Sequence, residues 1–189
     1  GYIDLNLKVD GHQSIIKNMI DKIAHRGPDD EGIWVSEDKQ VILGHRRLSI
    51  LDLSSSGHQP MLSLSKDLII IFNGEIYNHL SIRKELLENG FSISWKGHSD
   101  TETLLEAIAA WGIEKTLNKC VGMFAFVVFD QKKKKLTLAR DRFGEKPLYF
   151  GWIDGAFVFA SELKALQVHP NFHNAISKDS LADYLRFNY

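Results

Sequence analysis

Residues 68–72, Leu-Ile-Ile-Ile-Phe, run without a polar interruption into Asn73-Gly74, and a helical pattern over residues 80–88 follows before Asn89-Gly90. A short β-prone run, a turn dipeptide and a helix with its own C-terminal stop predict strand, turn and helix in direct succession. A chain that changes periodicity this abruptly is committed to mixing sheets with helices. The same segment also places the Asn73 amide beside the backbone N–H of Gly74. Two such donors, held in advance, are what the charged oxygen of a tetrahedral acyl-transfer intermediate requires, although Asn-Gly is by itself an ordinary turn signal.

The remaining pattern extends this reading. Residues 14–24 set Ile15, Ile16, Met19, Ile20 and Ile23 on one helical face, with Lys17, Asn18 and Lys22 on the other. Gly27-Pro28 cannot continue that helix, so residues 25–32 are read as a loop. Val41-Ile42-Leu43 is a short strand. Ser99 or Asp100 caps a further helix carrying Leu104, Leu105, Ile108 and Trp111 on one face before Gly112. Residues 124–129 and 136–140 form a β-hairpin whose lysine run, Lys132 to Lys135, reads as a solvated loop tip. Another strand pair surrounds Asp154-Gly155, with helical residues at 162–166 and 178–186. Runs of strands separated by runs of helices argue for α+β, with two antiparallel sheets and outer helices, rather than a parallel βαβ sheet.

A chain of 189 residues fits one domain with a substantial core. Its formal net charge of −1 gives no footprint for nucleic acid. Its apolar stretches fall far short of the roughly 20 residues needed to span a bilayer, and its start shows no signal peptide, so a soluble, cytoplasmic protein away from membranes is expected. The single cysteine, Cys120, excludes an internal disulfide and a cysteine metal cluster. It lies where a small packing residue is expected, and the eight histidines show no ligand spacing, so no metal site is expected.

Two charged residues stand in motifs of their own: Arg47 in Gly44-His45-Arg46-Arg47-Leu48-Ser49-Ile50-Leu51, and Asp100 in Gly97-His98-Ser99-Asp100-Thr101-Glu102. Taken singly they read as a surface cation and an N-cap. Together they supply both signs that a free α-amino acid needs, a guanidinium fork for its carboxylate and a carboxylate at a helix start for its ammonium.

Nearly end to end, the chain resembles the glutaminase domain of glutamine-dependent asparagine synthetases, a class II glutamine amidotransferase of the N-terminal-nucleophile hydrolase superfamily. The resemblance is carried in order by His25-Arg26-Gly27-Pro28-Asp29, Arg47-Leu48-Ser49-Ile50, Asn73-Gly74-Glu75-Ile76-Tyr77-Asn78, Ser99-Asp100, Gly122-Met123-Phe124-Ala125-Phe126, and Ala139-Arg140-Asp141 with Pro147-Leu148-Tyr149. It implies a four-layer αββα sandwich in which Arg47 holds the glutamine carboxylate, Asp100 its ammonium, and Asn73 with the Gly74 N–H forms the oxyanion hole. Ile50, Leu51, Gly74 and Glu75 are implied to line the same pocket, and residues 25–29 a loop beside the nucleophile.

In the family the nucleophile is an N-terminal cysteine whose own α-amino group serves as the base. The opening Gly1-Tyr2-Ile3-Asp4 matches the continuation of that start, so the cysteine is expected just before Gly1. Cys120 cannot replace it, because an interior cysteine has an acylated nitrogen. On this reading, residues 1–189 are a glutaminase domain lacking its extreme N-terminus. Residues 181–189 resemble the helix leading into a C-terminal synthetase domain, which is absent. ATP and magnesium are assigned to that second domain and no cofactor to this chain, since no Gly-rich phosphate loop occurs. The chain as it stands is expected to be inactive, with glutamine as its ligand, the synthetase domain as its partner in cis, and a homodimer open for the full-length protein. The alternative is a degenerate module that binds glutamine or a partner without hydrolysis.

Overall fold

Strand side chains alternate between two faces, and in this chain both faces of both sheets are apolar enough to be covered. The structure, a computed structural model, describes residues 1–5 and 11–188. Its strands are β1 (Tyr2–Ile3), β2 (Asp30–Val35), β3 (Val41–Arg47), β4 (Met61–Leu62), β5 (Leu68–Ile76), β6 (Gly122–Asp130), β7 (Lys135–Arg140), β8 (Tyr149–Ile153) and β9 (Ala156–Ala160). The helices are α1 (His12–Asp21), α2 (His79–Glu88), α3 (Asp100–Trp111), α4 (Ile113–Lys119), α5 (Leu163–Leu166) and α6 (Lys178–Phe187). One antiparallel sheet has the order β2-β3-β1-β9-β8 and the other β4-β5-β6-β7.

Three cores fix the layers. Ile15, Ile16, Met19 and Ile20 of α1 and Leu166 of α5 pack on Tyr2, Ile42 and Val158, the outward face of the first sheet. Val41, Leu43 and Phe159 of that sheet meet Ile69, Val127 and Phe129 of the second. On the far side, Ile70, Phe72, Phe126 and Val128 receive Ile82 and Leu86 of α2 and Leu104, Leu105 and Ile108 of α3. The result is the α+β sandwich, helix, sheet, sheet, helix, anticipated for the chain. Cys120 belongs to the last of these cores at 3% exposure, and burial pushes its thiol up to about 11.

Several elements depart from the sequence reading. Asn73-Gly74 is not a turn: β5 continues through it to Ile76, with Asn73 opposite Ala125 and Gly74 opposite Phe124 of β6. The long partner strand holds the dipeptide extended, overriding its local preference. The loop expected over residues 25–32 is shorter, a 3-10 turn at Ala24–Arg26 followed by β2 from Asp30. β3 runs four residues past Leu43, because β2 pairs with it as far as Arg47. The lysine tip behaves as read, with Lys132, Lys133 and Lys134 exposed and paired to Asp67, Asp130 and Asp38. The amphipathic C-terminal helix forms as α6, although none of its residues is buried, and Tyr189 lies outside the described residues.

Candidate functional site

Strand alternation brings the singled-out residues to one place. On β3, Val41 and Leu43 point between the sheets, so His45 and Arg47 continue that row; on β5, Ile69 and Ile71 do the same for Asn73 and Glu75. Beyond the hydrophobic centre the two rows end in a cleft. It is lined by Arg47, Ile50, Leu51, Asn73, Gly74, Glu75 and Asp100, the complete set implied by the resemblance.

Arg47 is buried at 9% exposure and forms no ion pair among the described residues; its guanidinium donates to the Ser54 carbonyl at 2.9 Å and to the Asp52 carbonyl. Both acceptors lie on the loop after β3, and Gly57 packs so closely on the fork that a Cβ there would stand 2.6 Å from Cζ. The fork is thereby held while retaining further N–H donors for a ligand carboxylate.

Asp100 opens α3, behind the Ser99 side chain that accepts from Glu102 N as N-cap. Its carboxylate accepts from Ile76 N at 2.8 Å and from Thr101 N at 2.8 Å. Burial raises its pKa above the ordinary aspartate value, against the pull of those N–H groups. A buried anion with no cation bonded to it is suited to receive an ammonium.

The two donors expected for an oxyanion hole come from β5. Phe124 turns its N–H and carbonyl towards Asp141, so the opposing Gly74 presents its own N–H to the side away from β6. Phe72 and Ile76 share that orientation; Phe72 N donates to Gln59 Oε1 at 2.7 Å and Ile76 N to Asp100. Between them the Gly74 N–H is directed to the side on which Gly74 lines the cleft. The Asn73 amide nitrogen is buried without a hydrogen-bond partner. A stranded donor beside an aimed backbone N–H is the arrangement an oxyanion hole needs.

A second, more apolar cavity adjoins the cleft, lined by Met19, Ile20, Phe126 and Phe159 and reached by Gly1, Asn73, His45 and Arg26. Gly1 N donates to the Phe159 carbonyl at 2.9 Å, which sets the start of the chain in the same cavity as the Asn73 amide. His45 spans both cavities; its Nε2 faces the Phe72 carbonyl at 3.0 Å and so carries the proton, while burial lowers its pKa to about 4. Arg26 of the 25–29 segment is tied to Glu162 at 3.1 Å, and Glu162 also meets His25 and Lys164.

Some lining residues were not singled out by sequence. Gln59 sits in a Ser- and Gly-rich loop without periodicity, and only the fold shows that its side chain replaces a missing strand beside Phe72. Lys146 reaches the cleft because Asp141 accepts from the backbone of Phe124, Phe143, Glu145 and Lys146, curling the loop after β7. Burial opposes ionisation of Asp141, but those four N–H groups outweigh it and hold its pKa at about 2. Among the described residues, no three His, Cys, Asp or Glu side chains are grouped to hold a metal ion. None of the described helices is long and apolar enough to cross a membrane.

Residues 2–189 match the family of glutamine amidotransferase domains. The chain is 35% identical over 185 residues to glutamine-hydrolysing asparagine synthetase 3 of Bacillus subtilis, covering 97% of this chain and 29% of that protein. Identity to synthetase 1 of the same organism is 41% over 177 residues, covering 94% and 27%. With asparagine synthetase 3 of Arabidopsis thaliana it is 41% over 146 residues, covering 77% and 24%. The chain thus spans only 24% to 29% of the length of these relatives. Among solved structures, glutamine phosphoribosylpyrophosphate amidotransferase of B. subtilis shares the fold, with a TM-score of 0.68 at 22% identity over 82% of this chain and 40% of that one.

Proposed function

This chain belongs to the family of glutamine amidotransferase domains found in asparagine synthetases, and from that membership we propose that it is the glutamine-hydrolysing unit of an ATP-dependent amidating ligase. The observation that carries this reading is the convergence of Arg47, Asp100, the Asn73 amide and Gly74 on one cleft. The cleft offers opposite charges for the two α-groups of glutamine and two neutral donors for its side-chain carbonyl oxygen. Ile50, Leu51 and Glu75 complete the wall.

The proposed nucleophile is a cysteine directly before Gly1, whose sulfur attacks the amide carbon of glutamine. The charge on the carbonyl oxygen is then carried by the Asn73 Nδ2 and Gly74 N–H groups. Ammonia leaves to give a thioester, and water releases glutamate. Cys120 is excluded from this part by its position, on the helix-covered side of the second sheet. A synthetase domain in cis supplies the acceptor carboxylate and binds ATP and magnesium, and the site of action is the cytoplasm.

The test compares the chain starting at Gly1 with the same chain preceded by cysteine, following glutamate and ammonia release. Hydrolysis is expected only from the second, with glutamine bound by both. Replacing Asn73 by Ala in the cysteine-bearing protein should lower kcat by about 10²- to 10³-fold with KM little changed, as expected for an oxyanion donor. Glutamine binding without hydrolysis in the cysteine-bearing protein would instead favour a non-catalytic binding module.

A further inference from the structure

The two ends of the proposed amino-acid site come from different parts of the chain, and the side chain of Asp52 bridges them. Arg47 is held by the loop after β3 through the Asp52 and Ser54 carbonyls. Asp100 is held at the start of α3, two residues after His98. Asp52 belongs to the first group through its carbonyl and reaches the second through its carboxylate, whose Oδ2 accepts from His98 N at 2.9 Å. Its Oδ1 accepts from Ser54 N at 2.8 Å and Ser54 Oγ at 2.6 Å, bracing the carbonyls that grip Arg47.

The two segments are in close contact. A Cβ at Gly97 would press on Asp52 Oδ2 and lie 2.8 Å from Ser56 Cβ, so the approach needs a residue without a side chain. Ser56 Oγ adds a bond to the Lys96 carbonyl at 3.1 Å. Asp52 itself is buried at 8% exposure, and its acceptor sites are turned to neutral N–H and O–H groups rather than to a cation. A buried carboxylate placed like this is expensive unless its hydrogen bonds are complete, which gives the latch a defined geometry.

We propose that Asp52 is a positioning residue that sets the distance between Arg47 and Asp100, and thereby the fit of the site to the α-carboxylate and α-ammonium of glutamine. The inference rests on the glutamine reading given above. It assigns Asp52 to recognition rather than to the chemical step, because the carboxylate of Asp52 bonds to Ser54 and His98, whereas the proposed oxyanion donors belong to β5.

Asp52→Asn is a sharp probe. The amide is nearly isosteric, but its NH₂ group must face either the N–H of His98 or that of Ser54, so one backbone bond is lost whichever way the amide turns. In the intact, cysteine-bearing protein, this variant should raise the KM for glutamine about tenfold or more, with kcat within about twofold of the wild type. Loss of folded protein alone would lower kcat at unchanged KM, so the split separates positioning from stability. Asp52→Glu should not rescue, since the added methylene drives the carboxylate into Gly97. Gly97→Ala pushes the same two segments apart from the other side and should reproduce the KM increase; it decides the matter if the Asn variant does not fold. Failure of the wild type to hydrolyse glutamine would overturn the functional reading and this inference with it. An active wild type whose Asp52 and Gly97 variants keep its KM would overturn the latch alone.

Discussion

Asp100 and Asp52 show how environment divides the work of two buried carboxylates. Asp52 is held at about 2, first by the Ser54 hydroxyl and then by backbone donors that outweigh its burial, so it stays ionised and rigid. For Asp100 burial wins, and its pKa lies above the ordinary aspartate value of 3.8. The signs of the linked effects are opposite. The contribution of Asp52 to stability is present above its unfolded value and is lost as pH falls towards 2, whereas protonating Asp100 favours the unliganded fold. Only ionised Asp100 attracts an ammonium, and the α-carboxylate of glutamine is still ionised where Asp100 begins to protonate. Glutamine affinity measured by calorimetry should therefore fall on acidification with a midpoint above 3.8, and an affinity flat down to that pH would remove Asp100 from ammonium binding. Arg47, Asp100 and Asn73 were legible in the sequence because each sits in a short motif with a chemical rationale. Asp52 and Gln59 were not, since their roles depend on which backbone groups the fold leaves beside them.

At the level of elements, β5 carries the main lesson. Its apolar half, Leu68 to Phe72, announces a strand, but the polar half, Asn73 to Glu75, looks like its end. A local window cannot see that β6 pairs with all nine residues, from Leu68 opposite Asp130 to Ile76 opposite Gly122. That extension shapes the cleft, because only an extended Asn73-Gly74 puts the amide on the face between the sheets and the Gly74 N–H at the open edge. β4 was missed for a simpler reason: two residues are too few to show a period. Gly74 makes the dependence testable. A Cβ there would meet the Met123 carbonyl and stand 2.6 Å from Phe124 Cα, so the strands must separate to admit it. Gly74→Ala should cost about 1–3 kcal/mol in denaturant unfolding, a typical penalty for forcing atoms into a packed interior. A wild-type midpoint would show that β5 and β6 have slack at this point.

For the whole molecule, the layer order was legible because apolar strand runs and amphipathic helices have different periods. The strand order was not, because β1 lies at the centre of its sheet between β3 and β9, and its pairing with β9 joins residues more than 150 positions apart. Such contacts leave no trace in local pattern. They also make the layer between the sheets the part of the fold on which the site most depends, since Arg47 descends from one sheet and Asn73 from the other. Phe159, 1% exposed, packs in that layer and accepts the Gly1 N–H through its carbonyl. By contrast, α6 buries none of its residues and leaves Leu185 at 72% exposure. Phe159→Ala should therefore lower unfolding free energy by about 3–5 kcal/mol, the usual cost of emptying an aromatic site in a core. Leu185→Ala should change it by no more than about 0.5 kcal/mol, as for other exposed positions. Urea unfolding of the two variants side by side measures the contrast. Equal losses would mean that α6 packs on the sandwich, and the boundary of the cooperative unit would then have to include it.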